Sequence, residues 1–192
     1  MILYLHGFNS SSASGKAQAT VAAAQEAGVE CVAPDLPHRP AAALRLCAEI
    51  CAGKKVLAVG SSLGGYYATV LVERGLARRG VLINPAVAVA AKLRGEIGKT
   101  QRNYTNDEVY EYTAEHDREL AEVEVAAVAD ASRYLLLAQK GDELLDYREA
   151  AAYYAGAEQV IEEGGDHSFI GYERHLPRLL ELARLVEDAA AE

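Results

Sequence analysis

The chain is poor in large aromatic side chains: it has no tryptophan and two phenylalanines among 192 residues. Cysteine is also scarce. Cys31, Cys47 and Cys51 are an odd number and cannot all pair, which excludes a disulfide-stapled scaffold and fits a reducing compartment. Cys47 and Cys51 stand four apart on an expected helix face, the spacing of buried thiols. Basic clusters are absent. With 19 Lys and Arg against 28 Asp and Glu, the net charge is −9 and the pI about 5.1, so neither nucleic acid nor an anionic membrane surface is an expected partner. No run reaches the roughly 18 apolar residues of a membrane span. The opening Met1-Ile2-Leu3-Tyr4-Leu5-His6 has neither the basic region nor the long apolar core of a signal peptide, and a cytoplasmic location is expected. There is no H-E-x-x-H and no paired-His spacing, which disfavours a metal hydrolase; no metal and no cofactor is expected. Repeats, low-complexity tracts and interdomain linkers are lacking too. A length of 192 residues suffices for a substantial core, so one domain over 1–192 is expected.

What is present centres on Lys55 to Tyr67, KKVLAVGSSLGGY. Val56-Leu57-Ala58-Val59 is a short apolar run between charge and glycine, the pattern of a buried strand. Gly60-Ser61-Ser62-Leu63-Gly64 then fits G-x-S-x-G around Ser62, and Tyr66 to Arg74 continues with helical spacing. Strand, tight turn and helix are the setting in which this motif presents a serine nucleophile above a sheet. Two rival glycine motifs fail. A P-loop needs Lys and then Ser or Thr where Tyr66-Tyr67 stand, and a dinucleotide fingerprint needs glycine at Ser62.

The rest of the chain alternates in the same way. Strands are expected at Ile2–Leu5, Val29–Ala33, Val81–Ile83, Tyr134–Ala138 and Gln159–Glu162, and helices at Lys16–Ala27, Ala41–Ala52, Asp146–Tyr154 and around Leu176–Val186. With the Ser62 strand these make a short, mainly parallel six-stranded sheet with helices on both faces, an α/β fold. The alternation stops between Ala86 and Ala131. That stretch reads as a helical cap insertion, with Asn106-Asp107-Glu108 as a helix start. Its Tyr104, Tyr110 and Tyr112 are expected to wall a pocket over Ser62.

Sites in parallel sheets lie at the carboxyl ends of strands, and His6-Gly7-Phe8, Ser62, Asp142 and His167 each follow one. A serine hydroxyl needs a base, for which His is suited. His167, in a Gly-rich loop, is the candidate. His38 and His116 are expected to be solvated, His175 to lie at the surface, and His6 to support its loop. An acid must orient the imidazole; Asp142 is preferred over Glu143, Asp146 and Asp166, the last being tethered too closely to His167. Two backbone donors for an oxyanion are expected at Leu63 and Phe8.

The motifs HGFNSS, GSSLGGYYA, NPAV, GDELLDYREAAAYYA and EGGDHSF, in this order, resemble those of the YqiA-type small bacterial esterases of the α/β-hydrolase superfamily. The resemblance spans nearly the whole chain and is weakest from Val87 to Asp130. It implies Ser62, Asp142 and His167 as a triad, and hydrolysis of carboxylic esters, with acyl-CoA thioesters as further substrates, through an acyl-enzyme. The partner implied is a small-molecule acyl ester or thioester. Two other readings stand beside it: a thioesterase in the main, or a hydrolase-fold protein that binds a ligand without catalysis.

Overall fold

A computed structural model describes residues 1–189. In chain order the elements are β1 (Ile2–Leu5), α1 (Gly15–Glu26), β2 (Cys31–Val32), α2 (Pro40–Cys51), β3 (Leu57–Ser61), α3 (Leu63–Glu73), β4 (Arg79–Ile83), α4 (Val89–Leu93), β5 (Lys99–Arg102), β6 (Val109–Tyr112), α5 (Ala114–Glu122), β7 (Tyr134–Gln139), α6 (Tyr147–Tyr153), β8 (Glu158–Glu162) and α7 (Leu176–Asp188). Among the described residues, six strands form one parallel sheet in the order β2-β1-β3-β4-β7-β8. β3 lies between β1 and β4, with Leu5 opposite Gly60 and Ser61 opposite Ile83.

The apolar runs explain the layering. Successive side chains of a strand face opposite ways, so a strand covered on both sides must be apolar throughout. One face carries Ile2, Tyr4, Leu57, Val59, Val81, Ile83, Leu135 and Leu137 beneath Ala17 and Ala24 of α1 and Leu179, Leu182, Ala183 and Val186 of α7. The other carries Leu3, Leu5, Ala58, Leu82, Leu136 and Ala138 beneath α2, α3, α5 and α6. Cys47 and Cys51 belong to this second face, and burial pushes the Cys47 thiol up to about 12, so it packs as a small apolar group rather than a reactive thiolate. The edge strand β2 is shorter than its apolar run suggests: Ile2 and Leu3 pair with Cys31 and Val32 alone.

The stretch between β4 and β7 holds helices α4 and α5, as its composition suggests, and also a hairpin that the sequence reading missed. β5 and β6 pair antiparallel, Lys99 with Tyr112 and Arg102 with Val109. Asn106-Asp107-Glu108, read as a helix start, lies in the connection between these strands. Asn103 organises this turn: its side-chain oxygen accepts from the Thr105 N–H at 2.9 Å and the Thr105 hydroxyl at 2.7 Å. Asn and Asp favour such turns for the same reason that they favour helix caps, a short side chain that bonds nearby backbone; that shared chemistry made the two readings hard to separate. Tyr112 is 2% exposed and belongs to the core.

The histidine environments also differ from expectation. His116 is buried, not solvated. The Thr113 N–H donates to its Nδ1 at 3.0 Å, so His116 carries its proton on Nε2 and donates it to His38 Nδ1 at 2.9 Å. His38 in turn stacks on Tyr110, with ring centroids 4.2 Å apart. His175 pairs with Glu162 at 3.0 Å and is largely covered. The polar neighbours of these residues in sequence are not their neighbours in space.

Among the described glycines, backbone meets backbone most closely where α3 passes under β1. A Cβ on Gly64 would stand 2.0 Å from the Leu5 carbonyl oxygen and 2.7 Å from that of His6, and one on Gly60 would stand 2.1 Å from the Gly64 oxygen. These are backbone atoms that cannot rotate away. Gly64→Ala is therefore expected to lose about 3 kcal/mol or more of stability, while Gly95→Ala, where nothing lies within 4 Å, should unfold at the wild-type denaturant concentration. Equal midpoints for the two variants in urea would refute this account of the crossing.

Candidate active site

Every strand of the sheet runs the same way, so the segments after β1, β3, β7 and β8 emerge at one edge. Ser62 stands between β3 and α3 with φ 56° and ψ −119°. This backbone conformation is strained for a residue with a Cβ, by about 1–3 kcal/mol, and persists only when its surroundings enforce it. They do so here through three hydrogen bonds. The Ser62 N–H donates to Ile83 O at 3.0 Å, and its carbonyl accepts from Gly65 N–H at 2.9 Å and Ala86 N–H at 3.1 Å. Gly7 lies alongside: a Cβ there would be 3.2 Å from the Ser62 Cβ.

The structure brings Ser62, His167 and Asp142 into one line. Ser62 Oγ is 3.1 Å from His167 Nε2, and His167 Nδ1 is 2.8 Å and 3.0 Å from the two Asp142 oxygens. Asp142 also accepts from the Leu144 and Leu145 N–H groups, each at 2.9 Å. Burial works to raise the Asp142 carboxyl, but the bonds from His167 and these two amides outweigh it and hold the group below the ordinary aspartate range. Asp142 is thus ionised at neutral pH and acts as an acceptor only, so the bonded Nδ1 carries a proton. In a neutral ring Nε2 is then left as a base facing Ser62.

The rival acids have other partners. Asp146 caps α6, accepting from Arg148 N–H at 3.0 Å. Asp166 Oδ1 takes the Ser168 hydroxyl at 2.5 Å. Glu143 Oε2 accepts the backbone N–H of His167 at 3.0 Å, so it holds the loop rather than the ring. His6 is buried and turned away from Ser62. Its Nδ1 donates to Gly7 O at 2.9 Å while its Nε2 accepts from Leu36 N–H at 2.9 Å. Burial lowers its pKa, which keeps the ring neutral and the loop after β1 tied to the loop after β2. Among the described residues, neither Phe8 N–H nor Leu63 N–H donates to a protein acceptor. Both residues border a cleft of about 640 Å³ that also contains Ser62 and His167. Its other walls are mostly apolar, from Ala86, Val89, Leu93, Leu144 and Leu145, with Tyr104 at the rim.

Two residues that hold the site escaped sequence reasoning. Asn84, at the end of β4 with φ 39°, donates to Asp166 O at 2.9 Å and accepts from Gln139 N–H at 2.9 Å. Gln139 ends β7 and is 2% exposed. Its side-chain oxygen accepts from Ile170 N–H at 2.9 Å and Asp166 N–H at 3.2 Å, and its NH₂ donates to Ile170 O at 2.8 Å. The His167 loop is therefore gripped from two strands. The available signal was a polar residue closing each of two otherwise apolar strands. Tyr110, expected in the pocket, instead donates to Asn9 Oδ1 at 2.7 Å, and Asn9 Nδ2 donates to Gln101 at 3.0 Å. The hairpin thus clamps the loop that carries Phe8. Among the described residues no group of three or more His, Cys, Asp or Glu is placed to hold a metal ion, and no helix is long and apolar enough to cross a membrane.

The model of one protein family matches residues 1–184. The chain belongs to the Uncharacterised protein family (UPF0227), the YqiA family that its motifs resemble. Solved α/β-hydrolases share its fold at low identity. Est1E from Butyrivibrio proteoclasticus aligns with a TM-score of 0.72 and 15% identity, over 98% of this chain and 88% of that one. Mouse alpha/beta hydrolase domain-containing protein 10 aligns at 0.73 and 14%, over 98% and 90%. The monoacylglycerol lipase of Paleococcus ferrophilus aligns at 0.68 and 16%, over 96% and 94%. The chain thus has the α/β-hydrolase fold.

Burial lowers the pKa of both His6 and His116. A group whose folded pKa lies below its unfolded value of about 6.5 binds fewer protons when folded, so its contribution is complete above that pH and is lost as pH falls toward the folded pKa. The urea midpoint should therefore drop as pH is lowered below about 6.5, and the drop should be smaller in His6→Gln, which has no proton to gain. A wild-type midpoint that rises on acidification would contradict the burial of neutral imidazoles.

Proposed function

We propose that this protein is a serine hydrolase that cleaves carboxylic acyl esters through an acyl-enzyme on Ser62. The observation that carries the reading is the continuous line from Asp142 through His167 to Ser62, at 2.8 and 3.1 Å, with the serine at the apex of a strained strand-to-helix turn. In this reading Ser62 Oγ attacks the ester carbonyl while His167 Nε2 takes its proton. Asp142 fixes the ring's tautomer and stabilises the imidazolium that forms. His167 then returns the proton to the departing alkoxide, and water repeats the sequence on the acyl-enzyme. The developing oxyanion is assigned to the Phe8 and Leu63 amides, a role supported by their lack of protein acceptors and by the position of Leu63 at the first turn of α3, where partial positive charge gathers.

The apolar cleft beside Ser62 suits the acyl chain. Solved relatives of the fold include a monoacylglycerol lipase and an Est1E form with ferulic acid bound, which agrees with small acyl substrates. Thioesters fit the same machinery, and rates on matched oxygen and thiol esters would separate the two activities.

A phosphonate ester is expected to label Ser62 alone, and Ser62→Ala to abolish turnover of a chromogenic butyryl ester. Asp142→Asn should lower kcat by roughly 10²- to 10⁴-fold, because it favours the wrong tautomer of His167. Asp146→Asn should retain most activity, since Asn also caps a helix. Steady-state kinetics giving the opposite order would move the acid to Asp146.

Tyr104 is 83% exposed at the cleft rim, and its backbone N–H donates to Asn9 O at 2.9 Å. Tyr104→Ala should shift the preferred acyl length in a series of esters from two to sixteen carbons without changing the melting temperature. An unchanged profile would remove Tyr104 from the acyl site.

A further inference from the structure

Ser62 and His167 border a second cavity, of about 340 Å³, on the side of Ser62 occupied by α1. Its chemistry is unlike that of the apolar cleft. The walls include Tyr4, Ser14, Lys16, Ser61 and Glu143. We propose that this cavity binds the alcohol half of the ester, and that this alcohol is an uncharged polyol such as glycerol or a sugar. The proposal rests on the reading of Ser62 as an ester-cleaving nucleophile.

Three observations point the same way. The first is Tyr4. It is 1% exposed, yet its hydroxyl has no hydrogen-bond partner. The Ser61 hydroxyl beside it favours the ionised form, as a hydrogen-bond donor would, but the two do not meet at hydrogen-bond distance and angle. A buried hydroxyl without a partner is uncommon in a folded protein and calls for a water or ligand. The second is the start of α1. Ser14 occupies the N-cap position, but its side chain caps nothing, which leaves a hydroxyl available at the cavity wall. The third is charge. Lys16 reaches the Ser168 carbonyl at 2.6 Å, and the acids near it include Asp166 and Asp142, while Glu143 lines the same cavity. One cation among these carboxylates offers no surplus attraction for an anion, whereas hydroxyls, an ammonium and a carboxylate together can serve both the donors and the acceptors of a polyol.

The division also follows from the reaction. An acyl chain belongs against Leu63, Val89 and Leu145 in the apolar cleft. The leaving oxygen must lie near His167 to receive its proton, and His167 borders both cavities. The remainder of the alcohol then has the polar cavity to occupy. A simple alkyl alcohol there would leave the Tyr4 hydroxyl unpaired, and sites built to bond a substrate hydroxyl discriminate against analogues that lack it.

The test compares kcat/KM for the glycerol monoester and the ethyl ester of butyric acid, using the wild type, Tyr4→Phe and Lys16→Met, with the melting temperature of each variant as a folding control. A charged ester of the same acid, made from glycolate, forms a third arm. The wild type is expected to prefer the glycerol ester by roughly tenfold or more. Tyr4→Phe removes only the unpaired hydroxyl and should cut that preference several-fold at a wild-type melting temperature, and Lys16→Met should also reduce it. Equal rates on glycerol and ethyl esters, or a preference unchanged in a well-folded Tyr4→Phe, would overturn the polyol assignment while leaving ester hydrolysis intact. Preference for the glycolate ester would replace the polyol with an anion. If the wild type cleaves none of the three and a phosphonate fails to label Ser62, the esterase reading falls and this one with it.

Discussion

The contact on which the rest depends is the passage of α3 beneath the end of β1. Where Gly64 meets the Leu5 and His6 carbonyls, and Gly60 meets Gly64, backbone approaches backbone with no space for a side chain. This forces the chain to reverse within a few residues of the sheet's central strand. Ser62 absorbs the reversal in a left-handed conformation, and three backbone hydrogen bonds hold it there. The same contact brings the loop after β1 against the serine, so that Gly7 and Phe8 border the place where Ser62 projects. Glycine at both crossing positions is thus the condition for the Ser62 side chain to stand clear of the sheet edge.

A second layer of constraint holds the other parties to that serine. His167 sits on a loop of glycine and small polar residues that Phe169, two positions on, anchors in the core. Its position is set by side chains borrowed from neighbouring strands: Asn84 from β4, Gln139 from β7, and Glu143 just beyond β7. Asp142 is fixed by the amides of Leu144 and Leu145. On the opposite side, the β5–β6 hairpin fastens the loop after β1 through Asn9, Asn103 and Tyr110. In this family member the stretch between β4 and β7 therefore does two things. It lines the apolar cleft through α4 and Tyr104, and it braces the segment that carries Phe8.

These constraints leave two unlike spaces beside one serine. The apolar cleft is walled by elements whose buried faces are aliphatic because they continue the core. The polar cavity is walled by the start of α1 and by the ends of β1 and β3, where the sheet's apolar runs give way to Ser61 and the serines of the first loop. The asymmetry comes from which strand ends and helix ends meet at Ser62.

The sequence by itself determined the periodic and the local. Apolar runs in Ile2–Leu5, Leu57–Val59, Val81–Ile83 and Tyr134–Ala138 require a sheet covered on both faces. The glycines around Ser62 announce a turn, and strand-end placement offers His167 as the base and Asp142, ahead of Glu143, Asp146 and Asp166, as the acid, because each of these features is written in adjacent residues. What depends on residues far apart in the chain was decided only by the tertiary structure. The Asn84 and Gln139 grip on the His167 loop spans 82 and 27 residues, and the Asn9–Tyr110 clamp spans 101. His116 reads as a solvated residue among Glu115, Asp117 and Glu119, yet it is buried because α5 turns it inward with Leu120, toward His38 and Tyr112. The Asn106–Glu108 segment reads as a helix start because Asn and Asp cap helices and shape hairpin turns by the same short-range bonds; only pairing between Lys99–Arg102 and Val109–Tyr112 distinguishes them. A hydrogen bond between distant side chains leaves no period and no spacing in the sequence, so it is settled only when the fold brings its two ends together.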